Sequence, residues 1–209
     1  MAKYTDKCKL CRRAGEKLFL KGDRCLSAKC AMVRRPYAPG VHGKSPSRGG
    51  SEFGRQLAMK QKIKRLYGVL ERQFRNHFAE AEKLSGITGD QLLSRLERRL
   101  DNVVYRLGFG TSRSQARQLV GHNMFTVNGK RANVASMEIK VGDVIATKPN
   151  KQQKTYFKNL MEVLKNKKDV PHWLELNADK FEGKVIALPA REDVGVNVDP
   201  QMVVEYYSK

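Results

Sequence analysis

The longest sustained apolar pattern in the chain runs from residue 96 to residue 120. Leu96, Leu100, Val103, Val104 and Leu107 recur at the spacing of one helical face, and Gly108 stands where a left-handed C-cap would close the run. Ser112 then offers an N-cap for a second helix, SRSQARQLV, with Ala116, Leu119 and Val120 facing inward and Arg113, Arg117 and Gln118 left outside. After His122 the period drops to two through Phe125-Thr126-Val127 and Lys130-Arg131. Asn128-Gly129 between them predicts a hairpin with a type I′ turn. Val141-Gly142-Asp143 predicts another turn ahead of Val144 and Ile145. Residues 98–147 thus read as two helices followed by a small antiparallel sheet.

Upstream, Ser51 caps a predicted helix that Gly68 ends near Tyr67. Leu70 to Leu84 forms the next, with Phe74, Phe78 and Ala81 on its apolar face, and Thr88 offers the N-cap of a third carrying Leu92, Leu93 and Leu96. Downstream, residues 150–166 predict a helix with Tyr156, Phe157, Leu160 and Leu164 on one side. Short strands follow around Trp173, Leu174, Val185 and Ile186. Asp199-Pro200 opens a last helix whose Met202, Val203, Tyr206 and Tyr207 are expected to close a core. The fold class is α+β. Its expected parts are a basic arm and connector over 1–50, a helical domain over 51–96 completed by 190–209, and a module over 97–189.

Charge narrows the partners. Lys and Arg number 41 against 21 Asp and Glu, a net +20 with a pI near 10, which is the footprint of a polyanion binder: RNA, DNA or an anionic membrane. No apolar run reaches the roughly 20 residues of a membrane span, and MAKYTDKCKL lacks the core of a signal peptide, so a cytoplasmic location and no membrane partner are expected. Residues 1–60 hold 15 basic and 4 acidic side chains, so much of the excess lies in the first third. Residues 34–50, RRPYAPGVHGKSPSRGG, have turn residues and no apolar period, as an irregular connector would. From 169 to 209 the balance reverses, with 8 acidic and 4 basic side chains, which suits packing on the basic chain or a basic neighbour protein.

All four cysteines fall within residues 8–30, CKLCRRAGEKLFLKGDRCLSAKC. Reduced cytoplasmic thiols at this density point to metal rather than disulfides. Cys8-x2-Cys11 and Cys25-x4-Cys30 can close a tetrahedron around Zn2+, although the intervening loop is shorter and the second pair wider than in common zinc ribbons. An iron–sulfur cluster on the same four thiolates stays open. Lys7, Lys9, Arg12, Arg24 and Lys29 would lower the thiol pKa values and offset the site's charge of about −2. A site closed by four cysteines has no position for chemistry, so its expected role is a structural one, a zinc-stabilised N-terminal arm.

Residues 98–147 resemble a small RNA-binding module found in small-subunit ribosomal protein four, in pseudouridine synthases and in some tRNA synthetases. Three further stretches resemble the bacterial ribosomal protein four family: Val33-Arg34-Arg35-Pro36-Tyr37-Ala38-Pro39-Gly40-Val41-His42-Gly43, Glu71-Arg72-Gln73-Phe74-Arg75-Asn76, and Arg99-Leu100-Asp101-Asn102-Val103-Val104-Tyr105-Arg106-Leu107-Gly108-Phe109. The likeness covers essentially the full length, and the cysteines match the family's metal-binding variety. It implies a non-enzymatic protein that binds the 5′ domain of small-subunit ribosomal RNA early in assembly. The implied neighbours are the third and fifth small-subunit proteins near the path by which mRNA enters, with a role in decoding accuracy.

Junction RNA is read largely through shape, phosphates and 2′-hydroxyls. The residues expected to face it are Arg12, Arg13, Arg34, Arg35, Lys44, Arg48, Arg55, Lys60, Lys62, Arg65, Arg72, Arg75, Arg113, Gln115, Arg117, Gln118, His122, Asn128, Lys130 and Arg131. Two rivals are weaker. An RNA-modification protein would use a catalytic Asp such as that of Arg99-Leu100-Asp101, but Asp101 falls within a module helix and no length remains for a catalytic domain. A zinc-containing regulator would need a reading helix, and none is patterned.

Overall fold

The computed structural model describes residues 6–45, 50–167 and 169–208. Its helices and strands are, in order, α1 (Lys7–Ala14), α2 (Ala31–Arg34), α3 (Glu52–Tyr67), α4 (Glu71–Glu82), α5 (Thr88–Glu97), α6 (Leu100–Arg106), α7 (Arg113–Gly121), β1 (Phe125–Val127), β2 (Lys130–Ala132), β3 (Val144–Thr147), α8 (Pro149–Gln152), α9 (Thr155–Lys165), β4 (Leu174–Asn177), β5 (Glu182–Val185) and α10 (Gln201–Tyr207). They form two compact units. Residues 1–93 with 194–209 make the first and residues 94–193 the second, so the division falls inside α5. Among the described residues no helix is long and apolar enough to cross a membrane.

The first unit is helical, and its local signals act as expected. Ser51 Oγ accepts the Gly54 N–H at 3.2 Å to start α3, and Gly68, at φ 63°, closes that helix in the left-handed conformation. Phe74, Phe78 and Ala81 of α4 are buried. The chain's last helix, α10, packs on α3. Val203 is buried, Phe53 stacks on Tyr206 at 5.5 Å and Phe78 on Tyr207 at 4.6 Å, so the helix serves as core. Residues 1–50 share this unit with 51–93 instead of standing apart. The described part of the 34–50 connector, residues 34–45, is also less irregular than its composition suggests, since α2 ends at Arg34 and a 3-10 turn spans Val41–Lys44.

A charge cluster joins three helices of this unit. Lys60 and Lys64, both buried on α3, donate to the Glu71 carboxylate of α4 at 2.6 and 2.7 Å, and the Tyr207 hydroxyl of α10 donates to it at 3.1 Å. This corrects the expectation that Lys60 lies on an outer, RNA-facing side, and Lys64 is turned inward with it. Helical spacing aligned them with the basic stripe, but a carboxylate one helix away holds them inward. Lys62 is likewise engaged, with Glu16 and the Asn197 carbonyl.

The second unit is a five-stranded antiparallel sheet, ordered β2-β1-β3-β5-β4, with α6, α7 and α9 supplying the rest of the core. Phe125, Ala132, Ile145 and Val185 point from the sheet into that core, where Leu100, Val103, Val104, Leu107, Phe157 and Trp173 are also buried. The hairpin forms on Asn128 and Gly129 at φ 50° and 75°, as a type I′ turn requires. The run from Leu96 to Leu107, however, is two helices and not one. Arg99 is extended at φ −66° and ψ 136°, and the segment 135–139, which bridges Arg99 at Glu138, bonds into the gap: Leu100 N–H to Met137 O at 2.8 Å and Ile139 N–H to Arg98 O at 2.9 Å. Both sides of the break keep their apolar face in register, so periodicity alone does not expose it. The 150–166 helix is similarly split into α8 and α9.

The Glu71 cluster predicts a pH dependence. Partial burial raises this carboxyl's pKa, but hydrogen bonds and charge from Lys60 and Lys64 outweigh it and hold the value at about 2. A carboxyl depressed in this way stabilises the fold fully above its ordinary range near 4.5 and loses that contribution as pH falls toward about 2. Glu71→Gln is therefore expected to lower the urea midpoint at pH 6, with the gap from wild type closing by pH 2 to 3.

Candidate nucleic-acid interface

The basic residues singled out on α7 are placed by a buried polar network. Glu97, at the end of α5, is fully buried, and its carboxylate takes Arg106 Nε at 2.9 Å and Nη2 at 2.7 Å, with Asn102 Nδ2 at 2.7 Å. Asn102 Oδ1 in turn accepts Arg113 Nε at 2.7 Å, and the Arg113 guanidinium lies 4.7 Å over the Tyr105 ring. Asp101, also buried, accepts Arg99 and Arg117, each at 3.1 Å. Arg113 is thus turned inward with its side chain 12% exposed, while Arg117 keeps 30%. The expectation that both stand outside is corrected for Arg113: the i, i+4 pair faces the side of α6 that carries Asp101 and Asn102. Asp101 is a structural acceptor for two arginines, which leaves the Arg-Leu-Asp letters without a catalytic reading.

Other candidates divide in the same way. Asn128 is a structural pin, donating to Asp143 Oδ1 at 2.8 Å and accepting the Val144 N–H at 2.9 Å, so it locks one turn to the next. Gln115 Oε1 accepts the Thr111 N–H at 2.7 Å and its hydroxyl at 2.8 Å. Gln118, His122, Lys130 and Arg131 are exposed. In the first unit Arg13, Arg34, Arg35, Lys44, Arg55, Arg72 and Arg75 are exposed and Arg65 is half-buried. Arg48 lies outside the described residues.

Arg12 is a clamp. Its Nε donates to Tyr37 O at 2.8 Å and its Nη2 to Ala38 O at 3.2 Å, and its guanidinium lies 4.8 Å from the centroid of the Tyr37 ring, with Lys44 at 5.2 Å. The loop it holds turns tightly at Gly43, where a Cβ would stand 1.9 Å from Ala38 O. The Pro36–Ser45 stretch is therefore built and presents His42 and Val41 to solvent.

The cysteines come together on the same unit. Cys8 and Cys11 sit on successive turns of α1, Cys25 ends a 3-10 turn, Cys30 precedes α2, and all four line one cavity with Leu20 and Met32. Burial pushes the Cys11 thiol up, a backbone hydrogen bond with Leu18 opposes that, and the other three cysteines raise it further. Lys21 N–H points at Cys25 Sγ, 3.4 Å away. Among the described residues, no three His, Cys, Asp or Glu side chains are drawn close enough to hold an ion as they stand. Sharing one cavity is the weaker condition, and the four thiols meet it.

Glu97 is the functional residue that sequence reasoning missed, because a lone Glu at a helix end carries no signal of the arginines it gathers. Removing its side chain takes both carboxylate contacts from half-buried Arg106 and leaves Asn102 only the Glu97 backbone carbonyl, at 2.9 Å. Glu97→Ala is expected to cost roughly 3–5 kcal/mol of stability in denaturant unfolding, a loss that a solvent-exposed glutamate would not produce.

Comparison with known proteins agrees with this architecture. Residues 3–97 match the family described as ribosomal protein S4/S9 N-terminal domain, and residues 98–145 match the S4 domain. The chain is 53% identical to small ribosomal subunit protein uS4 of Solidesulfovibrio magneticus over the whole of both chains. It is 57% identical to uS4A of Clostridium perfringens and 55% identical to uS4 of Ruminiclostridium cellulolyticum, again at full length. With both family matches in order along one chain and relatives that align from end to end, the protein belongs to the uS4 family of small ribosomal subunit proteins.

Proposed function

We propose that this protein is a structural, non-enzymatic constituent of the small ribosomal subunit in the bacterial cytoplasm that binds small-subunit ribosomal RNA directly. The observation that carries this reading is the S4 domain over 98–145, an RNA-binding domain, in a chain alike from end to end to proteins named for that subunit. The RNA surface proposed is made of exposed Arg13, Arg34, Arg35, Lys44, Arg55, Arg72 and Arg75 on the first unit and Gln118, His122, Lys130 and Arg131 on the second, with Arg117, which bonds Asp101 yet keeps 30% of its side chain exposed, beside them. On rigid helices and a short sheet these suit phosphate and 2′-hydroxyl contacts, and specificity comes from matching the shape of a folded junction. The 5′ domain is the proposed binding region and the third and fifth small-subunit proteins the proposed neighbours. The acidic stretch after residue 169 is the surface suited to basic proteins.

The metal reading is part of the proposal. Three buried thiols and one half-buried thiol on a single cavity, with a backbone N–H aimed at one sulfur, are a donor set that suits Zn2+. Bound there, zinc would supply folding energy to a segment with little apolar core of its own. Cys8 and Cys11 from α1 and Cys25 and Cys30 from the following turns would hold it, tying α1 to α2.

Two measurements test these readings. The full-length protein should retain tight binding to a 5′-domain transcript in moderate salt under excess tRNA, and complete loss to tRNA would reduce it to a generic polyanion binder. Cys25→Ser should lower zinc content from about one per chain toward zero and lower the Tm; unchanged metal content and Tm would refute the zinc site.

A further inference from the structure

Lys148 and Lys151 lie just past the 98–147 block that sequence patterning reads as two helices and a small sheet, yet the fold brings them onto that sheet. Pairing sets the outer face. Arg131 of β2 is opposite Thr126 of β1, which is opposite Ala146 of β3, and that row continues to Glu182 and Asn177. These positions are exposed or half-exposed, while the alternate positions Phe125, Ala132, Ile145 and Val185 are buried. Lys148 comes two residues after Ala146 and therefore shares its face. Its backbone N–H is bound to Met124 O at 3.0 Å, and its Nζ donates to Asn123 Oδ1 at 2.7 Å. Asn123 holds that position in the left-handed conformation at φ 58°. Lys151 follows on the first turn of α8, its N–H on Lys148 O at 2.8 Å.

Three cations so gather at one edge of the face, and among the described residues no carboxylate lies within ion-pair distance of Arg131, Lys148 or Lys151. The neighbourhood acts electrically as one: desolvation, then Arg131, then Lys151 draw the Lys148 ammonium below its ordinary pKa. The other edge differs. There Lys184 stands in register with Glu175, and Glu182 is in the next row, so its charge is offset. Like charges collected without a counterion on a rigid surface cost free energy in the isolated protein, and that cost is recovered when an anion bridges them.

We infer that Arg131, Lys148 and Lys151 form a phosphate-binding site on the outer face of the sheet, with Asn123 as the positioning residue for Lys148, and that its ligand is the sugar-phosphate backbone of RNA. The RNA part rests on the function proposed above; the anion site does not. It adds a second contact surface to the α7 side of the module, two of its three cations lying after residue 147.

Two readouts separate the site from the broader reading. In the full-length protein, sulfate at constant ionic strength should raise the Tm of wild type above its value in chloride, and the triple variant Arg131→Gln, Lys148→Gln, Lys151→Gln should lose most of that gain. With the 5′-domain transcript, the triple variant should bind at least roughly tenfold more weakly at 150 mM salt, and the slope of log K against log salt should fall by about two or more. Lys184→Gln, on the compensated edge of the same face, should change neither. Equal sulfate stabilisation in wild type and triple variant would overturn the anion site. A lost sulfate effect with unchanged RNA affinity and slope would overturn its assignment to RNA. Failure of wild type to hold the transcript against tRNA would instead count against the proposed function while the sulfate result still decides the site.

Discussion

Burying a carboxylate without compensation is among the most expensive things a fold can do, and the second unit is organised around one. Glu97 is wholly withdrawn from solvent, so its charge must be met by donors within the protein. Arg106 meets it with a two-pronged contact and Asn102 adds a third donor, which fixes α6 against the end of α5. The same Asn102 then orients Arg113, so α7 is set by a relay that begins at Glu97. An apolar trio of similar volume could pack as well. What the ionic version adds is geometry: each guanidinium has one orientation that satisfies its partners, so the helix angles that place the exposed cations are specified more tightly than packing alone would achieve.

This network explains why the elements were more legible than the site. Helix starts and ends rest on short-range chemistry, and Ser51, Gly68, Ser112 and Asn128-Gly129 all perform the roles that their types imply. The break at Arg99 was invisible because it depends on the 135–139 segment, distant in sequence, bonding into the helix at its exposed backbone groups. Which cations turn inward was hidden for a related reason. A basic residue on the polar side of a helix looks the same in sequence whether it meets phosphate or a carboxylate from another helix. Lys60 and Lys64 met the Glu71 carboxylate, Arg113 met the Asn102 amide oxygen with Glu97 3.9 Å away, and Arg12 met two backbone carbonyls.

The acidic residues are therefore informative in a strongly basic chain. With about half as many carboxylates as cations, each internal pairing by Glu71, Glu97, Asp101 or Glu138 selects which cations are structural and leaves the others to solvent. Net charge alone states that a polyanion will bind; the placement of the few carboxylates states where. Cations paired internally hold their geometry when salt screens the surface, because buried pairs are screened less than exposed ones. Exposed, unpaired cations carry the salt-sensitive part of recognition.

A division of labour follows between rigidity and repulsion. Exposed like charges raise the free energy of the isolated protein, and a flexible scaffold would relieve that by letting them drift apart. Here the sheet register fixes Arg131, the backbone bond to Met124 fixes the start of Lys148, and the buried networks hold the helices beneath. Relief is then available chiefly through a bound anion. The interior ion pairs and the bare cations outside are two parts of one arrangement: the first keeps the second in the positions where an RNA backbone, and not a rearranged side chain, neutralises them.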